Sequence, residues 1–451
     1  MGIFSGAYGD KRRAAAVDRL HDSMVAQSSV VVRRLGGRRA GEMSGHRILS
    51  SAAVTPEQTV GCFAQNTAAA VAGRRIVAAQ DTTECNFPKR QKSKLGPAGC
   101  NGNTPGFFIH AMIAVDVADE AVLGMVDAAI WTRAAEPARD RRKRDFAEKE
   151  SHRWLAASTA AGTVLAGASQ IIVVGDRESD IYQVFDGRPA GVELVVRAAQ
   201  DRKLADDGML FAASSGLTRL GTQTVQIPPR RVGDRGRTAV VGVAAGAVSI
   251  RAPRNGRRAP GTNAVLTLTL VEVVEANPPA SETALHWRLL TTLPAATLEA
   301  AQDVVNCYRL RWRIEQSFRM LKTDGMQLED SQTTDTHRLF NLAALAMGAA
   351  VRVIQLVDAR DGSNRPASDV ATAAEITAAV ALAPTLEGKT ERQKNRHPPG
   401  NLAWLAWIVA RLGGWNCYYK PPGPKTMRQG WDRFAAMAQG FALATSTARN
   451  V

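Results

Sequence analysis

Cysteine is scarce in this chain of 451 residues and is nowhere spaced for metal. The five thiols, Cys62, Cys85, Cys100, Cys307 and Cys417, are odd in number and form no CxxC. That excludes a zinc ribbon or a disulfide framework and fits a reducing compartment. Long hydrophobic runs are missing too. The longest, Leu339 to Val351, contains Asn341 and is closed by Arg352, so it reads as a buried helix and no membrane partner is expected. The first thirteen residues hold too few apolar side chains for a signal peptide, which points to a soluble, cytoplasmic protein. No internal repeat is present. Aromatics are only 6%, yet a hydrophobic fraction of 45% is enough for a packed core and excludes general disorder. Acids are outnumbered, 42 against 57 Lys and Arg, for a formal charge of +15. Such an excess favours a polyanionic partner, because each cation that neutralises a phosphate releases a condensed counterion. A basic protein that is merely soluble is the alternative.

At this length two or three domains are expected. Residues 10–35 look helical and carry Lys11, Arg12, Arg13, Arg19, Arg33 and Arg34; Arg38, Arg39, His46 and Arg47 follow. They suit a helical module against a nucleic-acid backbone or, equally, a solvated helix face. Strands are expected at Arg75–Asp81, Phe107–Val115 and Ala121–Ile130, the last two joined by a hairpin turn at Asp116–Glu120. A helix over Asp145–Leu165 precedes a buried strand, Ile171-Ile-Val-Val-Gly-Asp176, and another at Glu193–Arg197. This order indicates a mixed sheet with helices packed on it. Thr224–Ile227, Thr238–Val243, Ala247–Arg251 and Ala264–Val274 read as an inserted antiparallel β subdomain with basic turns at 229–237 and 253–258. Helical texture resumes near Leu298 and runs to the end.

The most informative segment is Tyr308-Arg-Leu-Arg-Trp-Arg-Ile-Glu-Gln-Ser-Phe-Arg-Met-Leu-Lys322. On one helix, Tyr308, Arg311, Glu315, Arg319 and Lys322 fall within an arc of roughly 80°. Leu310, Ile314, Phe318 and Leu321 form an adjoining apolar stripe. An acid among cations and a phenol is what a phosphodiester enzyme needs, the acid for metal and the cations for phosphates. Spaced four apart, Arg311, Glu315 and Arg319 are also what a salt-bridged solvated face needs.

These residues stand in the Tyr-x2-Arg-x3-Glu-x6-Lys signature, and the chain here resembles insertion-sequence transposases of the IS-four family, particularly their Tn-five-like members. Gln80-Asp81-Thr-Thr83 is similar to the family's first acidic motif and Gly175-Asp-Arg-Glu-Ser-Asp-Ile181 to its second. Glu148-Lys-Glu-Ser151 with Trp154-Leu155 matches the helix between them, and Arg411-Leu-Gly-Gly414 with Gly430-Trp431 the C-terminal region. The likeness runs from about Gly9 to Phe441. It implies an α/β fold: a ribonuclease-H-like mixed-sheet catalytic core over 66–365 with a β insertion at about 203–290. An N-terminal helical DNA-binding domain (1–65) and a C-terminal helical dimerisation domain (366–451) would flank it. Asp81 would end the first strand, Asp176 the fourth, and Glu315 would sit on a late helix. The acids are 95 residues (81 to 176) and 139 residues (176 to 315) apart, the second gap holding the insertion.

Two carboxylates about 5 Å apart repel by roughly 3 kcal/mol at an effective dielectric near 20, so convergence needs cations. Hard oxygen ligands select Mg2+ or Mn2+, two ions per site, held by Asp81, Asp176 and Glu315. The resemblance implies cut-and-paste transposition: a nick, hairpin formation, hairpin opening and strand transfer, by a homodimer on paired transposon ends and target DNA. Trp287 matches the base-stacking Trp, although a strand Trp packed in a core reads the same way; Trp312 would probe the vacated position. Tyr308, Arg311, Arg319 and Lys322 would hold phosphates, with Arg197 adding a contact. The protein would work in the bacterial cytoplasm, nucleoid-associated when on DNA. The other readings are a DNA-binding regulator that does not cut and a nuclease that does not join.

Overall fold

The computed structural model describes residues 2–88, 94–99, 102–134, 144–227, 236–253, 261–279, 282–323, 325–360, 362–418 and 420–448. In chain order the elements are α1 (Lys11–Gln27), α2 (Val32–Gly36), α3 (Arg39–Leu49), α4 (Pro56–Ala70), β1 (Arg75–Asn86), β2 (Gly96–Ala98), β3 (Thr104–Asp116) and β4 (Val122–Trp131). Next come α5 (His152–Val164), β5 (Gln170–Gly175), α6 (Tyr182–Asp186), β6 (Val192–Arg197), α7 (Leu210–Ser215), β7 (Arg219–Ile227), β8 (Arg237–Arg251), β9 (Val265–Glu275) and β10 (His286–Thr291). Helices α8 (Leu298–Arg309), α9 (Trp312–Lys322), α10 (Thr336–Ala359), α11 (Ala373–Leu386), α12 (Leu402–Leu412) and α13 (Pro424–Ala448) complete the chain. They divide into two compact units. A sheet unit holds Gly73–Asp81 and Ala138–Trp312; a helical unit holds Met1–Ala72, Thr82–Pro137 and Arg313–Val451.

In the sheet unit the strands run in the order β1-β5-β6-β10-β9-β8-β7. The first three are parallel, with Ala79 opposite Val174 and Gly175 opposite Val196; the rest are antiparallel. Parallel strands covered on both faces must be apolar throughout, and Ile171-Ile-Val-Val174 is buried at every position. Helix α5 lays Trp154, Ala157, Ser158 and Ala161 inward at helical spacing. The mixed sheet with its flanking helices is consistent with a ribonuclease-H-like core. The expected insertion is not a subdomain of its own: β10 pairs with β6, so the later strands extend the same sheet. Two expected strands, Thr238–Val243 and Ala247–Arg251, are one continuous β8, because its ladder with β9 runs unbroken from Val241 to Arg251 through Ala244-Ala-Gly246. The basic turns at 229–237 and 253–258 lie almost wholly outside the described residues.

Two further expectations need correction. Asp81 does not end its strand, since β1 continues to Asn86. Nor is 308–322 one helix. The N–H groups of Leu310 and Arg311 bond back three residues, to Cys307 and Tyr308, closing α8 with a tight turn. Leu310 is buried in that turn, so Tyr308 belongs to α8, Arg311 to the turn and Glu315, Arg319 and Lys322 to α9. The helix expected from Asp145 begins only at His152, and the one expected over 10–35 stops at Gln27, where Ser28 takes a left-handed conformation (φ 41°).

The helical unit is built around α10. This helix is long and apolar enough to cross a membrane, but 83% of its apolar window is buried inside the protein. Asn341, the polar residue in that run, is buried and its amide N–H groups donate to the carbonyls of Leu49 (3.0 Å) and Val54 (2.8 Å). A β-carbon on Gly348 would lie 2.1 Å from the Phe63 ring, so only glycine lets α4 approach so closely. Strands β3 and β4 form an antiparallel pair, and their turn is held by Ala118 N–H on the Asp116 carboxylate at 2.9 Å. At the C-terminal end a β-carbon on Gly430 would strike the Val409 carbonyl and one on Gly413 the Thr426 carbonyl. The Arg411–Gly414 and Gly430-Trp431 motifs are thus the close crossing of α12 and α13. Helix α12 is buried within this unit, Trp404 and Trp407 included, so its apolar side chains pack internally and leave no exposed dimer face on that helix.

Candidate active site and nucleic-acid contacts

The β1–β5 ladder pairs residues at a constant offset of 95, from Arg75 with Gln170 to Ala79 with Val174. Continued by two positions, the same offset sets Asp81 beside Asp176. Neighbouring strands lie about 4.8 Å apart, and residues in register point to the same face. Each acid thus lies two residues past the last pair of the ladder, at the same end of adjoining parallel strands. Gly175 makes the turn after β5 possible, since a β-carbon there would sit 2.3 Å from the Ser179 hydroxyl. Asp176 then caps the turn: its carboxylate accepts from Glu178 N–H at 2.8 Å, and its carbonyl accepts from Ser179 Oγ at 2.7 Å. The loop is tied down from below by Asp180, which stands within the second acidic motif but whose partner Arg202 nothing in the sequence marks. It accepts from Ala199 and Gln200 N–H at 2.7 Å each and from Arg202 at 2.6 and 3.1 Å, with both side chains buried. Residues 22 positions apart across a loop carry no periodic signal that could announce this pair.

Cations surround the two acids. Arg311 Nη1 donates to Asp81 Oδ2 at 3.0 Å. Its guanidinium lies 5.9 Å from the Tyr308 ring centre and hydrogen-bonds the Tyr308 side chain. Arg197, the last residue of β6, also reaches Tyr308, donates to the His286 carbonyl at 3.0 Å and lies near Arg177 and Arg311. Burial pushes the Tyr308 phenol up, with Asp176 adding to the rise, while Arg311 and Arg197 pull it down. The net shift is upward, so the hydroxyl stays protonated at neutral pH and remains a donor. Burial lowers Arg197, as do its cationic neighbours.

Trp287 is 3% exposed. It meets Tyr308 edge to face at 5.1 Å and Trp312 at 5.8 Å, so a base could stack on it only after Trp312 moves. Trp312 is half-buried and is the more accessible ring.

In the helical unit Glu315 stands half-buried on α9, whose Ile314, Ser317, Phe318 and Leu321 face the core. Arg313, two residues earlier, pairs with Asp358 of α10, and Asp358 accepts from Val122 N–H at 3.0 Å. Burial raises the Asp358 carboxyl and Arg313 opposes the rise. Arg319 is exposed, as a phosphate contact requires. Lys322 donates to the Glu84 carbonyl at 2.6 Å and lies 3.2 Å from Glu329, which also accepts from Asn86 N–H at 2.9 Å. It thus clamps the outer end of β1. A groove of 790 Å³ in this unit is lined by Arg33, Arg34, His46 and Arg338 with one acid, Glu42.

Among the described residues no three His, Cys, Asp or Glu side chains form a cluster that could hold a metal ion. The fit to a divalent ion rests on the chemistry of the pair: Asp81 and Asp176 are hard oxygen donors at the same end of two adjoining strands, and Asp81 already accepts a positive neighbour. Residues 144–352, a little under half of the chain, match the family model described as Transposase DDE domain. The match takes in Asp176, Trp287, Tyr308, Arg311 and Glu315 and begins after Asp81. It supports a DDE transposase, an enzyme that acts on DNA.

Proposed function

We propose that this protein is a cut-and-paste DNA transposase of the IS-four family, in its Tn-five-like group. The observation that carries the reading is the position of Asp81 and Asp176 just past the last pair of two adjoining parallel strands, inside a cluster of arginines around Tyr308. Glu315 is the third carboxylate of the proposal, resting on the signature it shares with Tyr308, Arg311 and Lys322. Domains of this class generally use divalent metal ions. When bound, Mg2+ or Mn2+ would supply an activated oxygen nucleophile and stabilise the departing one.

This chain's own residues do the rest. Arg197, Arg311 and the neutral Tyr308 hydroxyl offer hydrogen-bond donors to a phosphodiester, and Arg319 adds an exposed cation. Trp312 offers a ring face to a base turned out of the stack during hairpin formation, which costs a few kcal/mol and is partly recovered by stacking. Trp287 backs it. The Arg33, Arg34, His46 and Arg338 groove suits a DNA backbone, in line with the excess of basic residues. The working form on paired ends is a homodimer whose contacts lie outside α12, and the reaction takes place in the cytoplasm.

A strand-transfer assay on paired-end DNA with Mg2+ tests the reading. Joined product is expected. Binding without cutting would identify a regulator, and cutting without joining a nuclease. Normal cleavage by Glu315→Ala would remove Glu315 from the proposal.

A further inference from the structure

We propose that Arg311 is an exchangeable counter-ion that couples DNA binding to metal binding. Its guanidinium holds the Asp81 carboxylate until a DNA phosphate draws it away and frees that carboxylate for a divalent ion. The inference rests on the metal-dependent reading above and adds an order of assembly to it.

Three features of the pair carry it. First, Arg311 Nη1 lies 3.0 Å from Asp81 Oδ2, with 11% and 16% of the two side chains exposed, so the contact is sheltered yet reachable. A guanidinium on Oδ2 weakens ligation of a dication by the same carboxylate, because the two positive charges repel across one small group. Second, Arg311 belongs to the turn between α8 and α9, not to either helix. Third, Arg197 and Arg177 crowd the same corner. A group in which three arginines meet two acids gains by passing a member to an incoming phosphate, which guanidinium binds in a bidentate, charge-assisted way.

The neighbouring pair shows what a permanent anchor looks like. Asp180 accepts two backbone N–H groups besides Arg202, and both side chains are almost fully buried. No incoming anion could take Arg202 from that setting. Arg311 and Asp81 lie nearer the surface, with 11% and 16% of their side chains exposed.

The test is a Mn2+ titration of the full-length protein, following free Mn2+ by electron paramagnetic resonance, with and without a mixed-sequence 20-base-pair duplex (about two helical turns). Duplex alone is subtracted. Without DNA, Arg311→Gln should bind Mn2+ roughly tenfold more tightly than the unaltered protein, the size of an ordinary coupling between sites. That gain should vanish when Asp81→Asn is added. Arg311→Lys, which keeps the charge, should stay near the unaltered protein. Adding duplex should tighten the unaltered protein and leave Arg311→Gln nearly unchanged. If Arg311→Gln gains nothing, or duplex does not tighten the unaltered protein, the coupling is wrong. Should Arg311→Gln fail to fold by circular dichroism, the duplex dependence of the unaltered protein decides alone. Asp81-dependent Mn2+ binding that ignores Arg311 would overturn the coupling and leave the metal reading standing. Absence of any Asp81-dependent binding would overturn both.

Discussion

Asp180 with Arg202 and Asp81 with Arg311 are both arginine–aspartate pairs in the sheet unit, yet they differ in kind. The first is buried and closed, every oxygen of the carboxylate being used by N–H donors. The second borders solvent and sits where the β1–β5 ladder runs out, beside Asp176. Ionic contact alone therefore says little about role. What separates the anchor from the reactive pair is depth: the first is sealed from solvent and the second can be reached from it.

The comparison breaks most visibly through stability. Asp180→Ala leaves Arg202 buried without its carboxylate and should cost about 3–5 kcal/mol, measured by denaturant unfolding. Asp180→Ala with Arg202→Met should recover part of that loss, because no charge is then stranded. Asp81→Asn should do the reverse. Cleavage of transposon-end DNA should fall by roughly 10²–10³-fold, about 2.7–4 kcal/mol, the scale of losing one transition-state-stabilising group. Its unfolding midpoint should fall less than that of Asp180→Ala, since the Asp81–Arg311 pair is the less deeply buried of the two.

The two tryptophans sharpen the same contrast between sealed and reachable groups. Trp312→Ala should weaken hairpin formation by about 1–3 kcal/mol and spare the first nick. Trp287→Ala should impair both steps alike, because it also loses core packing; a selective hairpin defect there would make Trp287 the stacking surface. The smallest effect belongs to the basic groove. Removing Arg33 and Arg34 together should flatten the slope of log affinity against log salt by about 0.9 for each phosphate no longer neutralised.

Much of this is legible in the sequence. Ile171-Ile-Val-Val174 announces a buried strand because nothing polar interrupts it, and the Asp116–Glu120 turn follows from its flanking apolar runs. Asp81, Asp176 and the arginines near Tyr308 are marked by their motifs. Other features are invisible there for physical reasons. No glycine or proline marks the break at Leu310-Arg311; tertiary burial of Leu310 and the packing of Trp312 on Trp287 accompany it. Alternation identifies β7 to β10 as strands but does not say which strand they join, so an extended sheet reads like a separate subdomain. Thr82-Thr-Glu84 ends the apolar run of β1 with three polar residues, so the strand's continuation, half-buried at alternate positions, does not stand out.

The constant offset of the β1–β5 ladder has an evolutionary corollary. Backbone pairing, not chain length, aligns Asp81 with Asp176, so residues gained or dropped at the Asp116–Glu120 hairpin would leave the two acids facing one another. Relatives of this protein can thus differ widely in the count between their first two acids and keep the same chemistry. Slipping the ladder by a single residue, with no change in length at all, would turn one acid to the opposite side of the sheet.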